Sequence, residues 1–537
     1  MWQRYPVNSR NDTTVDPRTS SALQLDHRTL LETIEAMWPQ IAPIQGSRLR
    51  DAVRSVPEGE WSGRPRILLA LAASHRSIGS TSRSAALPWL RAVDKAITAD
   101  PASPLDVRAG YLIQLATTER SMGDFVSALA HLERARTLIE QDDSLEISRR
   151  IDLSASFSLQ LGLTRIHLGA FDESQFALAL AEGLADEHLS PAETVEVHSG
   201  LAYVAYQLGD FAEAEKHSDL ALQHAEGTEL GRSAFGALAQ LTRFLLLVEQ
   251  DSSTADHDSL LRDLRIASRN SDWEPDALFA EALSRYAVGA AIEALDLLGR
   301  VARLSASYTG ELVLEAGSRI LRAEILRSLG ETDAARSTLA GLEPSQHHVT
   351  CPARLIALSQ FTVGDPQAAL DTLEDCLRLG DLHSTRAMAQ VYALSAAAHY
   401  DLGRTIASGI AFDRALLAGA THDISWPFDT LPGEVLEHLL ALATERPQSP
   451  ATAALIDRLS GGATDETAAL ADPLSERELV IVRHLATGAT LSQIGVELFI
   501  SVNTVKSHVR SIYRKLSATN RREAIARAIA LGLTDSH

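Results

Sequence analysis

From about residue 26 to about residue 445 the chain alternates apolar, alanine-rich segments of helical period with short turns that contain glycine. The pattern predicts helices in series, and its monotony points to a repeat. Gly123-Asp124-Phe125 is followed by Ala128, Leu132 and Ala135, and Gly169-Ala170-Phe171 by Ser174, Leu178 and Ala181. Gly209-Asp210-Phe211 is followed in the same register by Ala214, Ser218 and Ala221. Weaker copies begin at Gly289, Gly330, Gly364 and Gly403, and a unit without its glycine fits near Glu249. Seven units over the 280 residues from Gly123 to Gly403 give 40 residues each, room for two helices and two turns. Each glycine is expected to end the first helix of its pair in a left-handed conformation. The aromatic then pins the turn, and the small residue lets the second helix approach the first.

The last sixty-odd residues carry a denser pattern of caps. Ser475 with Glu478, Thr490 with Gln493, and Asn520 with Glu523 read as capping boxes, which mark three helix starts. Gly488 and Gly532 stand where the first and fourth helices should stop. Ser501 caps the third helix, and Ile500 is placed to staple onto Val505 across that cap. Along this third helix Val502, Val505, Val509, Ile512 and Leu516 recur at spacings of 3, 4, 3 and 4, one apolar stripe to pack on the first two helices. The opposite face carries Asn503, Lys506, Ser507, Arg510 and Arg514. A helix ~10–12 Å wide with such a face fits the major groove of DNA, its N-terminal half at the base edges.

Charge sharpens this division. The whole chain of 537 residues has a net charge of −21, but the stretch from Pro473 onward carries +4 and the remainder −25. A basic part joined to an acidic one points to a nucleic-acid-facing tail on a body with another task. Low aromatic content, 5%, also favours helices over sheets. The two cysteines, Cys351 and Cys376, are too few for a disulfide framework and read as small core residues.

The tail as a whole resembles the LuxR-type helix-turn-helix domain. The matching positions are Leu474-Ser475-x-Arg477-Glu478, Gly488, Ile494-Gly495, Leu498, Ile500-Ser501, Thr504-Val505-Lys506-x-His508, Lys515-Leu516, Asn520-Arg521, Ala524 and Leu531-Gly532-Leu533. The resemblance implies that Lys506, Ser507 and Arg510 face bases, with Arg510 able to grip a guanine edge, while Thr504, His508 and Lys515 meet phosphates. Asn503 and Arg514 join this set from the exposed face alone. The fourth helix, about 521 to 531, would be the dimerisation surface of a homodimer on a partly palindromic operator. Where the family usually has Ser-Asn-Lys-Glu-Ile-Ala, this chain has Thr490-Leu491-Ser492-Gln493-Ile494-Gly495, which loses a lysine and places a glycine inside a helix at ~1 kcal/mol. His484 also stands where an apolar residue is common.

The body, over roughly residues 65 to 420, resembles the tetratricopeptide repeat in the long-helix form found in the sensor portion of large LuxR-type regulators related to the maltose-operon activator. The expected architecture is therefore all-α. A flexible leader spans 1–25, a tetratricopeptide-like superhelix 26–445, a linker with a short helix 446–473, and the four-helix DNA-binding domain 474–537. Pro432 to Arg446 reads as a capping helix.

The expected function is that of a sequence-specific transcription regulator. Its body would receive a protein, peptide or small-molecule signal and its tail would bind double-stranded promoter DNA. A protein-interaction scaffold with a degenerate tail is the alternative. The chain contains no GxxxxGK[ST], HExxH or GxSxG, so neither an enzyme nor a nucleotide cofactor is expected. His484 and His508 lack partners at zinc spacing, and His347-His348 reads as a solvated turn, so no metal is expected. No apolar run nears the ~18 residues of a membrane span, and Met1 to Pro6 opens no secretory signal, so a cytoplasmic protein is expected.

Overall fold

The structure, a computed structural model, describes residues 26–530 and 533 except 77–83, 101, 142–146, 250–256, 289, 311–312, 330, 343–351, 381–384, 423, 462–473, 475, 487–488, 499–501, 517 and 519. Among the described residues every regular element is helical. The chain is all-α, built of successive helical hairpins that lead to a four-helix tail. It divides into two compact units, one of residues 1–247, 253–277 and 302–314, the other of 248–252, 278–301 and 315–537.

The first unit opens with the helix His27–Arg54, whose cap Asp26 accepts a hydrogen bond from the Thr29 amide at 3.0 Å. This helix packs on Pro65–Ser74, whose run Ile67 to Ser74 is apolar but for its last residue and wholly buried, as expected of a helix enclosed by others. Three hairpins follow: Leu105–Met122 with Phe125–Gln141, Ile147–His167 with Phe171–Glu182, and Pro191–Leu208 with Phe211–His224. Their turn glycines take the expected left-handed backbone, with φ of 88° at Gly123, 73° at Gly169 and 83° at Gly209. At Gly123 the turn is closed by Gly123 N–H to Arg120 O and Asp124 N–H to Glu119 O, both 2.9 Å, which satisfies two carbonyls the helix end would leave open.

The aromatics Phe125, Phe171 and Phe211 are buried behind these turns, and Ala128, Ser174 and Ala214 are fully enclosed. Close helix approach has a local cause in the second hairpin. Gly162 faces Leu178, where any side chain would collide, and the Ser174 hydroxyl donates to the Gly162 carbonyl at 2.8 Å.

In the second unit Pro352–Thr362 pairs with Pro366–Leu379, and Thr385–Asp401 with Thr405–His422, through Gly364 and Gly403 at φ of 87° and 69°. Ser408 donates to the Ala396 carbonyl at 2.8 Å, the same twelve-residue span as Ser174 to Gly162. The core here includes Leu373, Cys376, Phe412 and Phe428. The helix Gly433–Thr444 lies where a capping helix was expected. Pro450–Gly461, in the stretch read as linker, inserts Leu455 and Ile456 into the same core and is an integral part of it. Gly289, Gly330, Cys351, His347, His348 and the leader 1–25 lie outside the described residues.

Candidate nucleic-acid interface

The tail forms four helices, Glu476–Ala486, Leu491–Glu497, Val502–Lys515 and Arg521–Ala530, within the second unit. Thr490 and Gln493 form the capping box in full: the Thr490 amide donates to Gln493 Oε1 at 2.8 Å, and the Gln493 amide to Thr490 Oγ1 at 3.3 Å. Asn520 Oδ1 accepts from the Glu523 amide at 2.9 Å and starts the fourth helix. Ser475, Gly488, Ile500, Ser501 and Gly532 lie outside the described residues. Val505, Val509, Ile512 and Leu516 are all buried, packed with Ile481, Val482, Leu485 and Ile494 from the first two helices. Tyr513 joins them, and burial pushes its hydroxyl up to about 12. A buried stripe fixes which side of the third helix is turned outward.

The basic residues divide into two kinds. Arg521 donates to the Leu485 carbonyl through Nη2 at 2.6 Å, and Arg527 Nη1 to the Leu516 carbonyl at 2.9 Å, tying the fourth helix to the first and third. Lys515 Nζ donates to Glu478 Oε2 at 3.0 Å, with side chains only 12% and 5% exposed. It thus clamps the end of the third helix to the first. By contrast Arg510 and Arg514 are exposed and Lys506 and His508 half-buried on the third helix. Asn503, Thr504 and Ser507 lie on that helix, but their side chains are outside what is described.

Arg510 forms an ion pair with Glu293, a second-unit residue near the start of the helix Ala291–Leu304. Arg510, Lys506, Val509 and Tyr513 line a small cavity together with Ala291, Ile292 and Leu329. The outward face of the third helix therefore lies partly against the body of its own unit.

The sequence reading does not single out a cluster of buried charged side chains in the body. In the first unit Arg120, 2% exposed, pairs with Asp272, lies 3.5 Å from Glu196, and stands over the Trp273 ring. Arg76 also pairs with Glu196, and His167 Nε2 lies 3.2 Å from Asp272 while stacking between Phe125 and Trp273. Burial and the adjacent Asp272 push the Asp276 carboxyl up to about 7. The one sequence signal is Arg120, three residues before its turn glycine, where Ile166 and Tyr206 stand in the next two hairpins, and nothing in one chain's sequence brings Arg120 to Asp272, 152 residues away.

Residues 472–528 match the model of the bacterial regulatory proteins of the luxR family. Over 108 residues the chain is 37% identical to the uncharacterized transcriptional regulatory protein YxjL of Bacillus subtilis (strain 168), covering 20% of this chain and 50% of that one. Over 81 residues it is 41% identical to the transcriptional activator protein PhzR of Pseudomonas fluorescens, covering 15% and 33%. It is 39% identical over 56 residues to the HTH-type transcriptional regulator MalT of Vibrio campbellii, covering 10% of this chain and 6% of that one. The chain thus spans half or less of the length of these relatives. Its tail is a LuxR-type helix-turn-helix domain. A solved structure, the APC/C hetero-tetramer Cut9-Hcn1, aligns at 12% identity with a TM-score of 0.28, covering 82% of this chain and 98% of that one. The repeat character of the body rests on its own hairpins.

Proposed function

We propose that this chain, ending in a LuxR-type helix-turn-helix domain, is a sequence-specific transcription regulator that docks the helix Val502–Lys515 in the DNA major groove. The observation that carries this reading is the buried stripe Val505, Val509, Ile512, Leu516, which turns Arg510 and Arg514 outward from a domain of this family. Arg510 and Lys506 would read base edges, Ser507 with them, while His508, Thr504, Asn503 and Arg514 would position the helix on phosphates and sugars. Lys515, held by Glu478, would act through helix placement. A homodimer formed through Arg521–Ala530 would set two such helices on successive half-sites. The repeat body would receive the signal, a protein, peptide or small molecule, and the protein would act in the cytoplasm where the DNA is. No helix among the described residues is long and apolar enough to cross a membrane.

The Arg510–Glu293 pair supports a docked, low-affinity state in which the reading residue is occupied by the body's own carboxylate. A signal would act by favouring release. The test is selection of bound fragments from fragmented genomic DNA with the full chain, followed by affinity measurements at several salt concentrations. We expect an enriched motif and binding that weakens steeply with salt. Arg510→Ala should relax the preference at one base position by ~1–3 kcal/mol. An unchanged motif in that variant would reject Arg510 as a reader, and no enriched motif would favour an interaction scaffold.

A further inference from the structure

In the first unit three helices of the second and third hairpins bring Glu182, His198 and His217 together. Glu182 closes the helix Phe171–Glu182, while His198 and His217 sit inside Pro191–Leu208 and Phe211–His224. The two imidazoles face each other through the same nitrogen, His198 Nδ1 to His217 Nδ1 at 3.3 Å. Glu182 Oε1 completes a triangle, 3.5 Å from His198 Nδ1 and 3.8 Å from His217 Nδ1. Three ligands at ~2.0–2.1 Å around a tetrahedral ion stand ~3.3–3.4 Å apart, so the triangle is a few tenths of an ångström from closing on one.

We propose that Glu182, His198 and His217 form a site for a divalent transition-metal ion of the zinc class, with water in the remaining position. Two imidazole nitrogens and one carboxylate suit zinc and its neighbours; calcium and magnesium prefer an all-oxygen shell. The surroundings are those of a built site. His198 and His217 are 9% and 12% exposed, which holds the rings in place, whereas Glu182 is 38% exposed and leaves a path for the ion and its water. His198 stacks on His224, ring centroids 5.2 Å apart and 8° from parallel. The far nitrogen of His217, Nε2, lies 3.5 Å from Glu213 Oε2, the outer carboxylate that commonly orients a metal-bound imidazole. Glu213 is itself held by Lys216 at 2.8 Å.

Metal motifs within one sequence segment would not reveal this site, because its ligands come from three helices. The expectation of no metal, drawn from the spacing of His484 and His508, did not reach it. A bound ion would tie the second hairpin to the third, since Glu182 belongs to one and both histidines to the other.

The experiment uses the full chain, stripped with a chelator and titrated with zinc against a chromophoric competitor, then with cobalt(II) as a spectroscopic probe. We expect one zinc per chain, intense visible cobalt bands of a four-coordinate site, and a rise in the melting temperature on loading. His217→Asn and Glu182→Gln should each weaken zinc binding by at least about tenfold, and Glu213→Gln by about ten- to hundredfold. His27→Ala should leave it unchanged. Glu182 is exposed enough that Glu182→Gln tests the site even if a histidine variant unfolds. Zinc binding of equal strength in Glu182→Gln and the parent, faint six-coordinate cobalt bands, or no bound zinc at micromolar concentration would overturn the assignment.

Discussion

Asp276 is buried beside Asp272 and receives a hydrogen bond from Tyr203, and its carboxyl is pushed up to about 7 because ionising it strands a charge in the core next to another carboxylate. Its folded value lies above the ordinary 3.8, so between those values the native state holds the extra proton. Stability from this group is therefore fully present below about 3.8 and is lost as pH rises through about 7. Asp276→Asn should make the first unit more stable than the parent at pH 8, by up to a few kcal/mol, with the gap closing toward pH 4. Denaturant midpoints measured across that range decide it. A gap independent of pH would mean that Asp276 is not the titrating group. The same scale shows why basic residues in the tail were hard to sort from sequence. An arginine bonded to a carbonyl, as Arg521 and Arg527 are, looks identical in sequence to one that awaits a phosphate.

At the scale of elements, the hairpins were legible because their turns admit few residues. Glycine enters the left-handed region most readily, so Gly123, Gly169, Gly209, Gly364 and Gly403 mark the ends of five helices. The positions also differ in a way that sequence hides. A side chain at Gly364 meets open space, so Gly364→Ala should cost only the backbone strain, about 1–2 kcal/mol. At Gly123 the added carbon would overlap the Tyr308 ring, so Gly123→Ala should cost distinctly more. Chemical denaturation of each variant, followed by helical circular dichroism, measures both, and equal costs would show that Tyr308 yields freely. The caps of the tail were readable for the same local reason, as Thr490 with Gln493 illustrates. Pairings between distant helices, such as Arg120 with Asp272 or Glu182 with His198 and His217, carry no periodic signature, and they emerge only once the hairpins are stacked.

For the whole molecule, on the proposed function, carboxylates of the acidic body compete with DNA phosphates for the basic tail, Glu293 of the second unit among them. The Arg510–Glu293 pair is about half exposed, and such pairs contribute at most ~1 kcal/mol. Glu293→Gln should therefore raise the DNA affinity of the full chain by about two- to fivefold at low salt, with the gain shrinking as salt screens the pair. Fluorescence anisotropy with a labelled fragment measures this, and an affinity unchanged at low salt would remove Glu293 from the switch. If the pair does hold the protein in a docked state, the two binding events are linked reciprocally. Whatever factor a signal molecule adds to DNA affinity, DNA must add to the affinity for that molecule. A short operator duplex then becomes a reagent for finding the signal: compounds or peptides that bind more tightly in its presence are the ones that work the switch.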